Sequence, residues 1–98
     1  QWPLFRTRGA SYLLERVRSF LDFCDERNIP KCLCFYIHPW EFHPMQKRYH
    51  FGEAEVIPDD FITRNCGDNA LEELSKLIDG LLKMGAVFMR ADKIAEIF

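Results

Sequence analysis

The chain has 98 residues, 48% of them hydrophobic and 29% charged, with 13 Lys and Arg against 15 Asp and Glu for a formal net charge of -2. Such a composition collapses rather than staying disordered, and the length sets a ceiling of one domain, residues 1–98, with a core of modest size. The balanced charge excludes recognition by phosphate neutralisation, so no nucleic-acid partner is expected. No apolar run approaches the roughly 20 residues that span a bilayer, and no membrane segment is expected. The opening Gln1-Trp2-Pro3-Leu4-Phe5 reads like the middle of a longer sequence, which leaves cytoplasm and cell envelope both open as the location.

From Ser11 to Arg27 the residues Leu13, Leu14, Val17, Phe20, Leu21 and Cys24 keep the three-and-four spacing of a one-sided helix. Ser11 is its expected N-cap, and Asn28 with Pro30 its stop. The run Lys31-Cys32-Leu33-Cys34-Phe35-Tyr36-Ile37 is almost continuously apolar, the pattern of a parallel strand buried on both faces. His38-Pro39-Trp40-Glu41-Phe42-His43-Pro44 ends it, because two prolines remove ladder donors. Pro39 to about Gly67 shows no sustained periodicity and is expected to be a long loop, a kind of segment that tends to be functional. Leu71, Leu74, Leu77, Ile78, Leu81 and Leu82 mark a second helix, opened by an Asn69/Glu72 capping box and closed at Gly85, with Gly80 inside it for close packing or by simple tolerance. Ala86-Val87-Phe88-Met89 predicts a short strand, and a last helix opens near Asp92 with Ile94, Ile97 and Phe98 on one side. Cys24, Cys32, Cys34 and Cys66 are too sparse for a disulfide framework and read as free, mostly buried thiols.

This order predicts an α/β chain with two or so parallel strands, three helices and a long loop. Two parallel strands cannot cover three amphipathic helices without neighbours, so the chain reads as the end of a larger α/β fold. Its exposed strand edges and helix faces favour a homodimer or strand exchange.

His38 falls at the C-terminal end of a predicted strand, where α/β folds place their ligand sites. An imidazole there can protonate a leaving group near neutral pH, or merely cap the strand. Trp40 is either a loop anchor or a flat platform for a sugar ring. Glu41 can orient His38 or bond a ligand hydroxyl, with a solvated side chain as the ordinary expectation for a loop glutamate. Two alternatives stand beside a catalytic role. One is a non-catalytic carbohydrate-binding or protein-interaction module built on Trp40 and the long loop. The other is a small metal-binding domain built on His38, Glu41, His43 and His50, although the prolines after His38 and His43 remove the helical spacing of an HExxH site. Cys32 and Cys34 lack a partner pair with finger-like spacing, and Asp59, Asp60, Arg64 and Asp68 read as turn and cap residues.

The stretch Phe35-Tyr36-Ile37-His38-Pro39-Trp40-Glu41-Phe42 resembles the last motif of the polysaccharide deacetylase family with the NodB homology domain, in the branch whose late strand ends in HPWE. The tail, Asn65 to Leu74 and then Met84 to Ala95, is similar to the closing helix, strand and helix of that branch, so the resemblance runs from about Phe5 onward. It implies the C-terminal portion of a distorted (β/α) barrel and a metal-dependent N-deacetylase acting on N-acetylated amino-sugar polymers or lipid-linked saccharides. In that family a metal-bound water attacks the amide carbonyl, an Asp is the general base, and the late-strand His protonates the departing amine. His38 matches that His, with Trp40 and Glu41 as its expected substrate-binding neighbours. The family's early Asp-Asp and His-rich motifs have no counterpart, since Asp59-Asp60 follows Pro58 in the loop, and the Arg and Trp pocket motifs are missing too. The expectation is therefore no cofactor in this chain, a divalent metal such as zinc in the full-length enzyme, and no activity of the isolated chain.

Overall fold

The two apolar stripes meet each other. In the computed structural model, which describes residues 4–98, helix α2 (Ala10–Arg27) packs on α4 (Asp68–Lys83), and the short α1 (Leu4–Thr7) contacts both. Phe5, Ala10, Leu13, Val17, Ala70, Leu77 and Leu81 form the buried core, with Leu14, Leu21 and Leu74 half-buried around it. Gly80 marks close packing: a methyl group there would overlap both terminal carbons of Leu14, so an alanine would require the Leu14 side chain to move aside.

Both helix ends follow the expected stops. Asn28 is left-handed (φ 52, ψ 44), and the Asn28 and Ile29 N–H groups donate to the Asp25 and Cys24 carbonyls. At the end of α4, Gly85 (φ 86) and Ala86 donate to the Leu82 and Leu81 carbonyls in the same pattern. The helix starts are corrected. Ser11 is not a cap, because α2 begins at Ala10 behind Gly9, and the missing acceptor comes from α4: Glu73 Oε2 accepts from the Ala10 N–H at 2.6 Å. The Asn69/Glu72 box does not form either. Gly67, at φ 88 with its N–H on the Glu41 carbonyl, is the cap, and it starts the helix ahead of Asn69.

Its bond to the Ala10 N–H, and then its pairing with Lys76, hold the Glu73 carboxyl below the ordinary value of 4.5. A lowered carboxyl stabilises the fold above that value, and the contribution is lost as pH falls through the folded pKa. Glu73→Gln is expected to cost about 1 kcal/mol at neutral pH in urea unfolding and nothing well below pH 4.5, where both side chains are neutral. A difference that did not change with pH would contradict this role.

The strand expectations are overturned. Among the described residues the strands are β1 (Tyr49–Phe51) and β2 (Ala54–Val56), an antiparallel hairpin with Tyr49 opposite Val56 and Phe51 opposite Ala54. It lies within the segment expected to be loop; Gly52, at φ 62, opens its two-residue turn. The same segment holds a 3-10 turn at Pro39–Phe42 and helix α3 (Asp60–Thr63), capped by the Asp59 carboxylate on the Phe61 N–H. Neither Lys31–Ile37 nor Ala86–Met89 forms a strand, so the parallel pair is absent and no barrel is present in the described residues. A strand exists through its ladder, and here each segment runs beside the helices with no neighbouring strand to exchange bonds with. Val87 is accordingly 76% exposed. Cys32 and Cys34 are exposed for the same reason, whereas Cys24 is buried and Cys66 half-buried; no disulfide joins them. Helix α5 (Ala91–Ile97) closes the chain.

The architecture is thus mixed helix with one small sheet. Its radius of gyration, 17.0 Å against about 13 Å for a compact domain of this length, means that the core gathers only part of the chain. No described helix is long and apolar enough to cross a membrane.

Candidate functional site

A residue before proline is confined to extended backbone, and His38 (φ -108, ψ 139) obeys this. Pro39 then opens the 3-10 turn, whose tightness brings position 41 back over position 38: the Glu41 N–H donates to the His38 carbonyl at 3.1 Å. The Glu41 side chain follows. Its Oε2 accepts the His38 N–H at 2.8 Å and lies 3.3 Å from His38 Nδ1. Its Oε1 accepts from Arg6 Nε at 2.7 Å, and both side chains of this ion pair are wholly buried.

The pair is tied into three elements. Arg6, in α1, donates from Nη1 to the Arg64 carbonyl at 2.5 Å, and its own carbonyl accepts from Asn65 Nδ2 at 2.8 Å. The Glu41 carbonyl accepts from the Gly67 N–H at 2.8 Å. A buried ion pair is tolerated when further hydrogen bonds offset its desolvation, and here one donor is left over: Arg6 Nη2 is buried with no hydrogen-bond partner among the described residues. The Trp40 ring lies 5.6 Å from Arg6 Cζ, a cation–π contact on that same guanidinium. Nearby, burial pushes the Cys66 thiol pKa up, with Arg6 opposing the rise and Glu41 adding to it.

The His38 ring, one quarter exposed, sits against Tyr36, edge-on at 4.6 Å, and against Trp40, stacked at 5.4 Å. His38, Trp40 and Glu41 are therefore brought together. Glu41, for which a solvated side chain is the ordinary expectation, is a buried carboxylate facing His38, and Trp40 packs half-buried between His38 and Arg6, as a loop anchor does. The metal alternative is not assembled. His43 is exposed and bonds the Pro44 carbonyl, His50 is exposed on β1, and no group of three His, Cys, Asp or Glu able to hold a metal occurs among the described residues. Asp59 and Asp60 keep to capping and to a surface pair with Arg64.

Arg6 escaped sequence reasoning. The one available signal was indirect: a glutamate inside an aromatic turn needs a buried cation, and Arg6 sits in the apolar opening Leu4-Phe5-Arg6. One hollow borders the site at Arg6 and another lies away from it. A polar one of about 280 Å³ is lined by Arg6, Gly9, Asn65, Asn69 and Glu72, and an apolar groove of about 750 Å³ runs between Leu33, Phe35, Val87, Phe88, Ile94 and Phe98. Neither is lined by His38 or Trp40.

Chemically, a carboxylate facing Nδ1 sets the tautomer and orientation of an imidazole and stabilises its protonated form, the arrangement of a histidine that passes a proton through its other nitrogen. Compared with known proteins, the chain matches no family model, no curated protein and no solved structure.

Proposed function

We propose that this chain is the C-terminal part of a polysaccharide deacetylase-like hydrolase, one that removes N-acetyl groups from amino-sugar polymers or lipid-linked saccharides, with His38 as its general acid. The observation that carries the reading is the buried Glu41, locked by Arg6 and aimed at His38. A buried ion pair is a costly way to cap a turn, and an orienting carboxylate is what a proton-delivering histidine requires. An amine leaves an amide poorly unless it is protonated as the C–N bond breaks, so the His38 proton would go to that nitrogen. Trp40, half-buried between His38 and Arg6, would offer a sugar only the part of its indole those two leave exposed, and Glu41 is assigned to His38 rather than to a sugar hydroxyl.

A divalent metal such as zinc, implied by the HPWE resemblance, would activate the attacking water. The described residues do not fit one. The reading assigns the metal ligands and the base to a longer polypeptide that contains this chain. With zinc or cobalt added, the isolated chain is expected to release no acetate from chitooligosaccharides, while the longer polypeptide does. Turnover by the isolated chain, or none by the longer polypeptide, would contradict the reading.

The partner side of the reading rests on exposed apolar surface. Val87, Phe88, Ile97 and Phe98 are each more than half exposed, and the apolar groove runs beside them. The isolated chain is expected to dimerise in sedimentation, and a sharply monomeric profile would count against this.

A further inference from the structure

We propose that Arg6 is a positioning residue for His38: by holding Glu41 Oε1, it fixes Oε2 as the acceptor of the Nδ1 proton and leaves Nε2 as the atom that delivers a proton to the departing amine. The inference deepens the deacetylase-like reading and rests on it for the identity of the amine.

The geometry runs in one chain of contacts. Arg6 Nε reaches Glu41 Oε1 at 2.7 Å, and Glu41 Oε2 reaches the His38 N–H at 2.8 Å and Nδ1 at 3.3 Å. A carboxylate can rotate about its last bond and share either oxygen, but here each oxygen is committed to a different neighbour. The Arg6 fork is itself held, through Nη1 on the Arg64 carbonyl and through its own carbonyl on Asn65. Rotation of Glu41 would break the Arg6 bond, so the buried guanidinium transmits its fixed position to the imidazole.

The proton step balances around this arrangement. Protonated His38 carries hydrogen on both ring nitrogens. As the C–N bond of the collapsing tetrahedral adduct breaks, its electron pair stays on nitrogen, which takes the Nε2 proton and leaves as the amine, while the acyl carbon leaves as acetic acid. His38 is left neutral with hydrogen on Nδ1, the tautomer that Glu41 Oε2 accepts from. The contact thus favours the form in which His38 ends the step, and the tautomer of the resting neutral ring reports it.

The test reads the neutral His38 tautomer from ring nitrogen chemical shifts, at alkaline pH, in the 98-residue chain. Wild type is expected to be mostly Nδ1–H. In Glu41→Gln, Arg6 Nε–H and the His38 N–H compete for the one amide oxygen; the charged Arg6 donor takes it and leaves the amide nitrogen facing Nδ1, so the ring switches to mostly Nε2–H. In the double variant Arg6→Met/Glu41→Gln the amide is released from Arg6 and can turn its oxygen to His38, so mostly Nδ1–H returns. The double variant leaves neither charge buried alone, and it keeps the test decisive if Glu41→Gln alone does not fold. A mostly Nε2–H ring in the wild type, no switch in a folded Glu41→Gln, or no Nδ1–H majority in the double variant overturns the proposal. Failure of the longer polypeptide to release acetate would overturn the deacetylase-like reading and leave these tautomers unchanged, so the two failures are distinguishable.

Discussion

Glu41→Ala is expected to remove about 3–5 kcal/mol of folding stability, the usual cost of deleting one partner of a buried ion pair. Alanine would leave the Arg6 guanidinium, whose side chain is 0% exposed, facing a void without its Oε1 acceptor. It would also release the His38 N–H and the tie between α1 and the 3-10 turn. Against a total of about 5–15 kcal/mol for an ordinary domain, that loss unfolds much of the population in modest urea. The paired change Arg6→Met/Glu41→Leu removes both charges and fills the volume, and it is expected to recover most of the loss. Disrupting the Arg90–Asp92 pair, which is 84% and 53% exposed, sets the scale for a solvated pair at under about 1 kcal/mol. Urea midpoints at neutral pH check all three, and a Glu41→Ala cost no larger than that of the surface pair would contradict the role given to Arg6 and Glu41.

The second large effect is catalytic. In the longer polypeptide, His38→Ala is expected to lower kcat by roughly 10²–10⁴ while changing KM much less, because a general acid acts on the leaving nitrogen in the transition state and contributes little to ground-state binding. The fold should survive it. His38 is one quarter exposed and outside the apolar core, and the Arg6–Glu41 bond is independent of its ring. Steady-state acetate release against substrate concentration separates the two parameters, and a rise in KM with kcat unchanged would make His38 a binding residue instead.

Much of the helical layer was legible because its signals are local. The three-and-four spacing of Leu13, Val17, Leu77 and Leu81 placed the core, and the left-handed stops at Asn28 and Gly85 came from backbone preferences that tertiary contacts do not override. The starts were misread because their partners are remote in sequence: Glu73 caps α2 from α4, and Glu41 fixes Gly67 ahead of α4. Lys31–Ile37 and Ala86–Met89 have strand composition, but composition supplies no ladder, and no strand lies beside either. The hairpin at Tyr49–Val56 was overlooked for the opposite reason. Its strand residues other than Tyr49 are exposed and only weakly patterned, so the Gly52 turn carries the signal. At the site, His38, Trp40 and Glu41 stand together in one short motif, but the burial of Glu41 depends on Arg6, 35 residues earlier, and short-range pattern has no access to that pairing.

The central claim, that His38 protonates a departing amine, is tested most directly by comparing leaving groups. Acetate release by the longer polypeptide and its His38→Ala variant would be measured on an N-acetylated oligosaccharide and on an aryl acetate, whose phenolate leaves without protonation. The account predicts the roughly 10²–10⁴ loss on the amide and a far smaller loss on the ester. Equal losses on both substrates, or none on the amide, would contradict it.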